Sequence, residues 1–356
     1  MTEQILLTDL SYDELESWVA EQGEPSFRAR QLFEWAYRSL VSDFAAMTNL
    51  PLGLRQKLAG LTVIQSLSPL EAVTSADGLT TKVLLQLRDG ETIESVLMRY
   101  EGRQSVCVSS QVGCALSCPF CATGQGGFKR NLSPGEIVEQ VLYFARQLLA
   151  QNLTISNVVL MGMGEPLANY EATWQAIRIL NDPRGFKLGA RRFTISTAGM
   201  VPGIQRMAQE KLEVGLAVSL HAANDALRNR LVPLNKRYPL SELIAACREY
   251  VEHTSRRVSF EYALIQSVND DPQQARELGQ LLRGLLCHVN LIPLNPTADC
   301  TYRPASRDRI MAFRRELNGI GIPNTVRLGR GADIQAGCGQ LCSRRKNIEA
   351  GQTASS

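Results

Sequence analysis

The sequence predicts an α/β protein, an incomplete (β/α)6 barrel preceded by a small helical domain and a β-hairpin connector. Three observations carry this expectation. Apolar residues recur at helical spacing from Leu10 to about Leu58. An Asp-Gly turn, Asp89-Gly90, separates two β-rich runs. From about residue 101 strand-like and helix-like stretches then alternate in turn. The 356 residues suit about two domains. The expected division is residues 1–60 helical, 61–100 connector, 101–335 barrel and 336–356 a C-terminal loop and tail.

In the first part PSFRARQLFEWAYRSL is the clearest amphipathic helix, with Pro25 and Pro51 as breakers. TTKVLLQL and ETIESVLMRY flank the turn and read as a hairpin feeding the barrel. Barrel strands are expected at residues 106–110, 157–162, 192–198, 214–221, 258–265 and 289–295, with a short one at 325–329. The helix after the first of them opens on Ser133-Pro134-Gly135-Glu136, which supplies a capping serine, proline at the first helical position and glutamate two residues later. A barrel of this type places its active site at the strand C-termini.

Composition narrows the classes. Hydrophobic residues at 44% and charged residues at 21% are ordinary globular usage, which excludes wholesale disorder and collagen-like chains. A net charge of +3 does not by itself announce a nucleic-acid binder, so local basic clusters must carry that case. The first thirty residues are acidic and helical in pattern, without the apolar core of a secretory signal. No apolar run reaches the roughly 18 residues of a membrane span, and a cytoplasmic protein is expected.

Cysteine is the informative residue: Cys107, Cys114, Cys118, Cys121, Cys247, Cys287, Cys300, Cys338 and Cys342. Nine is odd and the chain is long, so metal or redox chemistry outranks a disulfide scaffold. Cys114, Cys118 and Cys121 stand at spacings of four and three in a loop after a predicted strand. Three thiolates there can hold three irons of a cubane cluster and leave the fourth iron open. Zinc sites pair C-x2-C with a second pair, and thioredoxin-type motifs need only C-x-x-C, so both rivals fit less well.

This spacing, with Phe120 before the last cysteine, resembles the signature of the radical S-adenosylmethionine superfamily. The resemblance implies a partial (β/α)6 barrel, one [4Fe-4S] cluster, and S-adenosylmethionine chelated at the open iron as the source of a 5′-deoxyadenosyl radical. Ordered blocks over nearly the whole chain, among them CVSSQVGCALSCPFCATGQGGFKRNLSPGEIVEQV, MGMGEPLANY, VSLHAANDALRNRLVPLN and RGADIQAGCGQL, are similar to the bacterial dual-specificity RNA adenine-C2 methyltransferases. These act on 23S rRNA and tRNA. A sister group, of the chloramphenicol-florfenicol resistance type, methylates carbon 8 and remains the alternative. Product analysis for 2-methyladenine or 8-methyladenine separates the two. A small-molecule or glycyl-radical-activating enzyme and a non-enzymatic iron-sulfur RNA-binding protein are more distant alternatives.

The resemblance implies the chemistry. Adenine C2 is electron-poor and has no lone pair, so direct displacement has nothing to attack with. The Cys338 thiolate instead takes a methyl group from one S-adenosylmethionine. A second S-adenosylmethionine yields the radical that abstracts hydrogen from that S-methyl group, and the methylene radical adds to the ring. Glu94 occupies the position of the proton acceptor, and Cys107 releases the product through a transient disulfide with Cys338, reset by thiols. Gly164, Glu165, Ser196, Ser219, Leu220, His221 and Asn295 match the family's cofactor contacts. Two S-adenosylmethionines per turnover, an external electron donor, no membrane and a monomer are implied with them. The Gly-flanked segment around Cys338 reads as a mobile loop over the barrel mouth. Basic clusters at Lys129-Arg130, Arg191-Arg192, Arg228 with Arg230, Lys236-Arg237, Arg256-Arg257, Arg314-Arg315 and Arg344-Arg345-Lys346 are candidates for phosphate contact if they ring that mouth. The helical N-terminal domain is a candidate second RNA contact.

Overall fold

The computed structural model describes residues 4–297, 300–327 and 329–342. Helices Tyr12–Glu21, Phe27–Tyr37 and Leu52–Leu61 form the N-terminal part. The first is opened by a capping box in which Ser11 and Glu14 each accept from the other's backbone N–H. Its apolar stripe and that of the second helix meet through Leu15, Leu32 and Phe33, all fully buried. The long helix Pro134–Leu149 has the expected capping box and proline at its start.

That long helix also carries Glu139, which fastens the N-terminal part to the barrel. Its carboxylate accepts from Thr8 Oγ1 (3.0 Å), Ser66 Oγ (3.1 Å), Ser66 N–H (2.7 Å) and Leu67 N–H (3.0 Å). Burial pushes its carboxyl up to about 7 against the pull of those bonds.

Ten strands form one sheet. The strands Ser68–Thr74, Thr80–Gln86, Thr92–Tyr100 and Arg103–Cys107 run as an antiparallel meander. Asn157–Leu160, Phe193–Thr197, Gly215–Ser219, Val258–Leu264, Cys287–Pro293 and Asn324–Val326 then follow in chain order, parallel to Arg103–Cys107 and to one another. Helices on the crossovers make the parallel arrangement possible. The predicted hairpin is present, with Gln86 opposite Thr92. It is continuous with the barrel sheet, and a further strand, Ser68–Thr74, extends it beyond a turn at Asp77-Gly78. That strand is almost wholly exposed, so it carries no apolar alternation for sequence reasoning to find. The first barrel strand is Arg103–Cys107, three residues earlier than expected, because a tight turn at Glu101-Gly102 folds it directly onto Thr92–Tyr100.

Period-two alternation gives the barrel two different faces. Ile195, Val218, Phe260, Tyr262 and Leu291 lie fully or almost fully buried in the main core. A side chain of this size contributes roughly 1.5–3 kcal/mol when buried. Alternate residues Ser196, Ser219, Glu261, Ala263 and Ile292 line an interior cavity instead. Small and polar side chains there leave the barrel hollow. No helix among the described residues is long and apolar enough to cross a membrane.

Candidate active site

The cavity, of about 160 Å³, opens at the C-terminal ends of the parallel strands. Ten of the thirteen sequence-predicted site residues line it: Cys114, Cys118, Cys121, Gly164, Glu165, Ser196, Ser219, His221, Asn295 and Cys338. Leu220 is fully buried between two of them. Cys107 lies just behind the wall, where its sulfur accepts from the backbone of cavity-lining Met161 and feels the charge of Cys338. Glu94 is not in the wall. It is buried in an ion pair with Lys82, Oε1 to Nζ 2.9 Å, and its Oε2 accepts from the Cys342 N–H at 2.9 Å.

The cysteine loop is pinched at its base by Gln111–Gly113 pairing with Phe128–Asn131, and Cys121 immediately precedes the one-turn helix Ala122–Gln125 without a side-chain capping bond. Burial pushes the Cys114 thiol up to about 11 and raises that of Cys118 further. Thiolates at these positions therefore require cationic partners, which irons supply. Among the described residues no three such side chains converge on one point, as a single metal ion requires. A cubane asks less, since each thiolate meets its own iron. The soft three-thiolate set, Cys114 buried and Cys118 and Cys121 half-buried, stands at the head of an open cavity and fits a [4Fe-4S] cluster with one iron left for a ligand.

Beside the cysteines, Gly164 bends the chain at φ 100°, where a Cβ would sit 2.6 Å from that of Gln111. The bend presents Glu165, whose Oε1 accepts from Leu167 N–H (3.1 Å) and whose Oε2 accepts from Ala198 N–H (2.7 Å). Burial raises its carboxyl to about 7. His221 takes a left-handed φ of 59° at the end of its strand. Its Nδ1 accepts from Ala263 N–H at 3.0 Å, so the ring proton belongs on Nε2. Burial, with Arg228 nearby, holds the imidazole down to about 3, so it is neutral. Phe120 meets it edge to face at 5.0 Å.

Cys338 comes from a segment that returns across the mouth after the last strand. Asp333 accepts from Ala76 N–H (2.9 Å), Gln335 O from Lys82 Nζ (3.2 Å), Gly339 O from Ala122 N–H (2.8 Å) and Leu341 O from Thr123 Oγ1 (2.6 Å). Gly337 permits a close approach to Asn295, whose Nδ2 a Cβ would meet at 2.5 Å. Cys338 is exposed to the cavity yet surrounded by protein. That surrounding pushes its thiol up, while Arg327 pulls it down. None of the nine cysteines is in a disulfide.

Sequence reasoning missed Glu261, whose carboxylate lines the cavity and is held by Asn290 Nδ2 (2.8 Å) and Arg327 Nη1 (3.3 Å). The sequence carries the signal, since a charged glutamate stands within the largely apolar run VSFEYALI. The basic clusters need correction. Arg228 is fully buried and cannot reach a phosphate. Arg191-Arg192 and Arg256-Arg257 precede their strands and lie at the opposite end of the barrel from the mouth. Lys129, Arg130 and Arg191 are engaged by Glu91, by Asp89 with Glu136, and by Glu213. Arg344-Arg345-Lys346 lies outside the described residues.

The family model described as the ribosomal RNA large subunit methyltransferase N-terminal domain matches residues 5–64, and that of the radical SAM superfamily matches residues 108–278. A probable dual-specificity RNA methyltransferase RlmN of Symbiobacterium thermophilum is 49% identical, covering 97% of this chain and 93% of its own. The protein of that name from Geobacillus kaustophilus is 47% identical over 96% and 93%. The crystal structure of a radical SAM methyltransferase from Sphaerobacter thermophilus superposes with a TM-score of 0.93 at 55% identity, over 95% of this chain and 99% of that one. Superfamily membership implies the [4Fe-4S] cluster and S-adenosylmethionine for which the three-thiolate cavity is suited. With the likeness running through both the helical part and the barrel, the chain belongs to the RlmN family of radical SAM RNA methyltransferases.

Proposed function

We propose that this protein methylates C2 of adenine in 23S rRNA and tRNA through a methylated Cys338. The observation that carries the reading is the placement of the Cys338 thiol in the wall of the cavity headed by Cys114, Cys118 and Cys121, with Cys107 immediately behind. The cluster and S-adenosylmethionine, when bound, supply a 5′-deoxyadenosyl radical, given one electron from an external donor. Glu165 and the backbone around Gly164 would hold the amino group of that ligand, with Ser196, Ser219, Leu220, His221 and Asn295 as further contacts.

The Cys338 thiolate first attacks the methyl carbon of a separate S-adenosylmethionine and releases S-adenosylhomocysteine, and Arg327 favours the anion this needs. The S-methyl group of Cys338 then gives up a hydrogen atom, and its carbon bonds to C2 of the unstacked adenine. Glu94, outside the cavity wall and paired with Lys82, is assigned the C2 proton on the family resemblance alone. Cys107 attacks the Cys338 sulfur, its thiol proton passing to the carbon freed from that sulfur while the unpaired electron of the adduct would return to the cluster; the methylated base is released and a disulfide remains that cellular thiols reduce. Two S-adenosylmethionines are consumed per turnover.

Mass spectrometry of the purified protein tests the reading through an S-methyl group on Cys338. Modified RNA should contain 2-methyladenine. Turnover retained in Cys338→Ala would overturn the covalent route, and 8-methyladenine would overturn the choice of carbon.

A further inference from the structure

Arg228 is the largest fully buried side chain of the described residues and belongs to the short helix Asp225–Leu231. Its guanidinium donates to Leu220 O (3.1 Å), Asn235 Oδ1 (2.8 Å), Ala198 O (2.6 Å) and Ser219 O (3.2 Å). All four acceptors are neutral. Asp225 reaches it at one remove, by accepting from Asn235 Nδ2 at 2.8 Å. A buried charge without a direct counter-charge costs several kcal/mol. Burial lowers its pKa to about 10, so it remains a cation at neutral pH.

The compensation lies in front of it. Ala198 and Ser219, whose carbonyls hold Arg228, line the same cavity as Cys118, and Cys118, Ala198, Leu227 and Leu234 pack against one small core that includes Leu231 of this helix. Ala198 joins the two sides, since its C=O accepts from Arg228 while its N–H donates to Glu165. A fixed positive charge thus stands behind the cysteine loop, in a region where the low dielectric extends its reach.

We propose that Arg228 is a positioning residue whose buried charge favours the one-electron reduction of the cluster held by Cys114, Cys118 and Cys121. The inference rests on the reading of those cysteines as cluster ligands. The electron comes from a low-potential external reductant, no bond is made or broken, and the cluster becomes more negative by one charge. A neighbouring cation stabilises that product more than the oxidised form.

The test is potentiometric titration, followed by electron paramagnetic resonance, of anaerobically reconstituted wild type, Arg228→Gln, Arg228→Lys and Asp225→Asn. In Arg228→Gln the ratio of reduced to oxidised cluster at a fixed potential should fall about tenfold, equivalent to ~59 mV for one electron. That is the order expected for a unit charge acting across about 10 Å at an effective dielectric near 20. Arg228→Lys should stay near wild type. Asp225→Asn, an exposed substitution that removes the partial counter-charge, should move the ratio the other way and serves even if Arg228→Gln does not fold. Full cluster loading with unchanged potentials in Arg228→Gln or Asp225→Asn would overturn the proposal. An equal fall in Arg228→Lys and Arg228→Gln would reduce Arg228 to a carbonyl clamp. Wild type that takes up no iron or sulfide would instead defeat the cluster reading beneath it.

Discussion

Glu165 Oε2 accepts from the backbone N–H of Ala198 at 2.7 Å, which ties the loop after one barrel strand to the end of the next. The same carboxylate lines the cavity, so under the proposed function its charge would serve a ligand while its bonds shape the wall. Glu165→Gln keeps an acceptor and loses the charge. Equilibrium binding of S-adenosylmethionine to the reconstituted protein should weaken by about tenfold or more, the cost of losing a charge-assisted hydrogen bond, while circular dichroism stays native. Unchanged affinity would remove Glu165 from the ligand site.

The proposed function gives Cys107 and Cys338 separable tasks. Cys107→Ala should still form S-methyl-Cys338 and the RNA bond but fail to resolve it. Denaturing electrophoresis of the variant with labelled RNA should show a covalent complex that Cys338→Ala lacks. Free turnover by Cys107→Ala would assign the resolving role elsewhere.

Lys82 and Glu94 are a buried pair at 2.9 Å. Lys82→Met strands a carboxylate out of water and should cost about 3–5 kcal/mol. Adding Glu94→Gln should recover much of that loss in a denaturant-melt double-mutant cycle. A double variant no more stable than Lys82→Met would show that the pair is not coupled.

Glu139 should make stability depend on pH. Its carboxyl rises to about 7 in the fold from an ordinary glutamate value of 4.5. The folded state therefore holds the proton more tightly, and the contribution is fully present below about 4.5 and lost as pH rises through about 7. The whole effect is on the order of 3 kcal/mol. Glu139→Gln should flatten this part of a Tm-against-pH curve, since its amide can face the Thr8 and Ser66 hydroxyls. Parallel curves for variant and wild type would refute the assignment.

Much of the cavity is legible in the sequence because its parts announce themselves locally. Three cysteines at fixed spacing share one loop, and polar residues punctuate strand ends. What stays hidden depends on partners distant in the chain. Arg228 and Arg230 look alike in sequence, yet one is fully buried and the other exposed. The carbonyls of Ala198, Ser219 and Leu220 and the side chain of Asn235 tell them apart. Glu94 reads as an ordinary strand glutamate until Lys82 and the Cys342 amide enclose it.

The segment from Asp333 to Leu341 joins two regions that the sheet leaves far apart, its last strand and the antiparallel meander. It does so through side chains and single amides, without a ladder of strand pairing. A ladder would have to unzip as a unit, whereas these ties can release one at a time. The proposed methyl carrier is thus mounted on the part of the enclosure with the least cooperative hold. Any displacement of this segment that widened the mouth for RNA would also move the Cys338 sulfur.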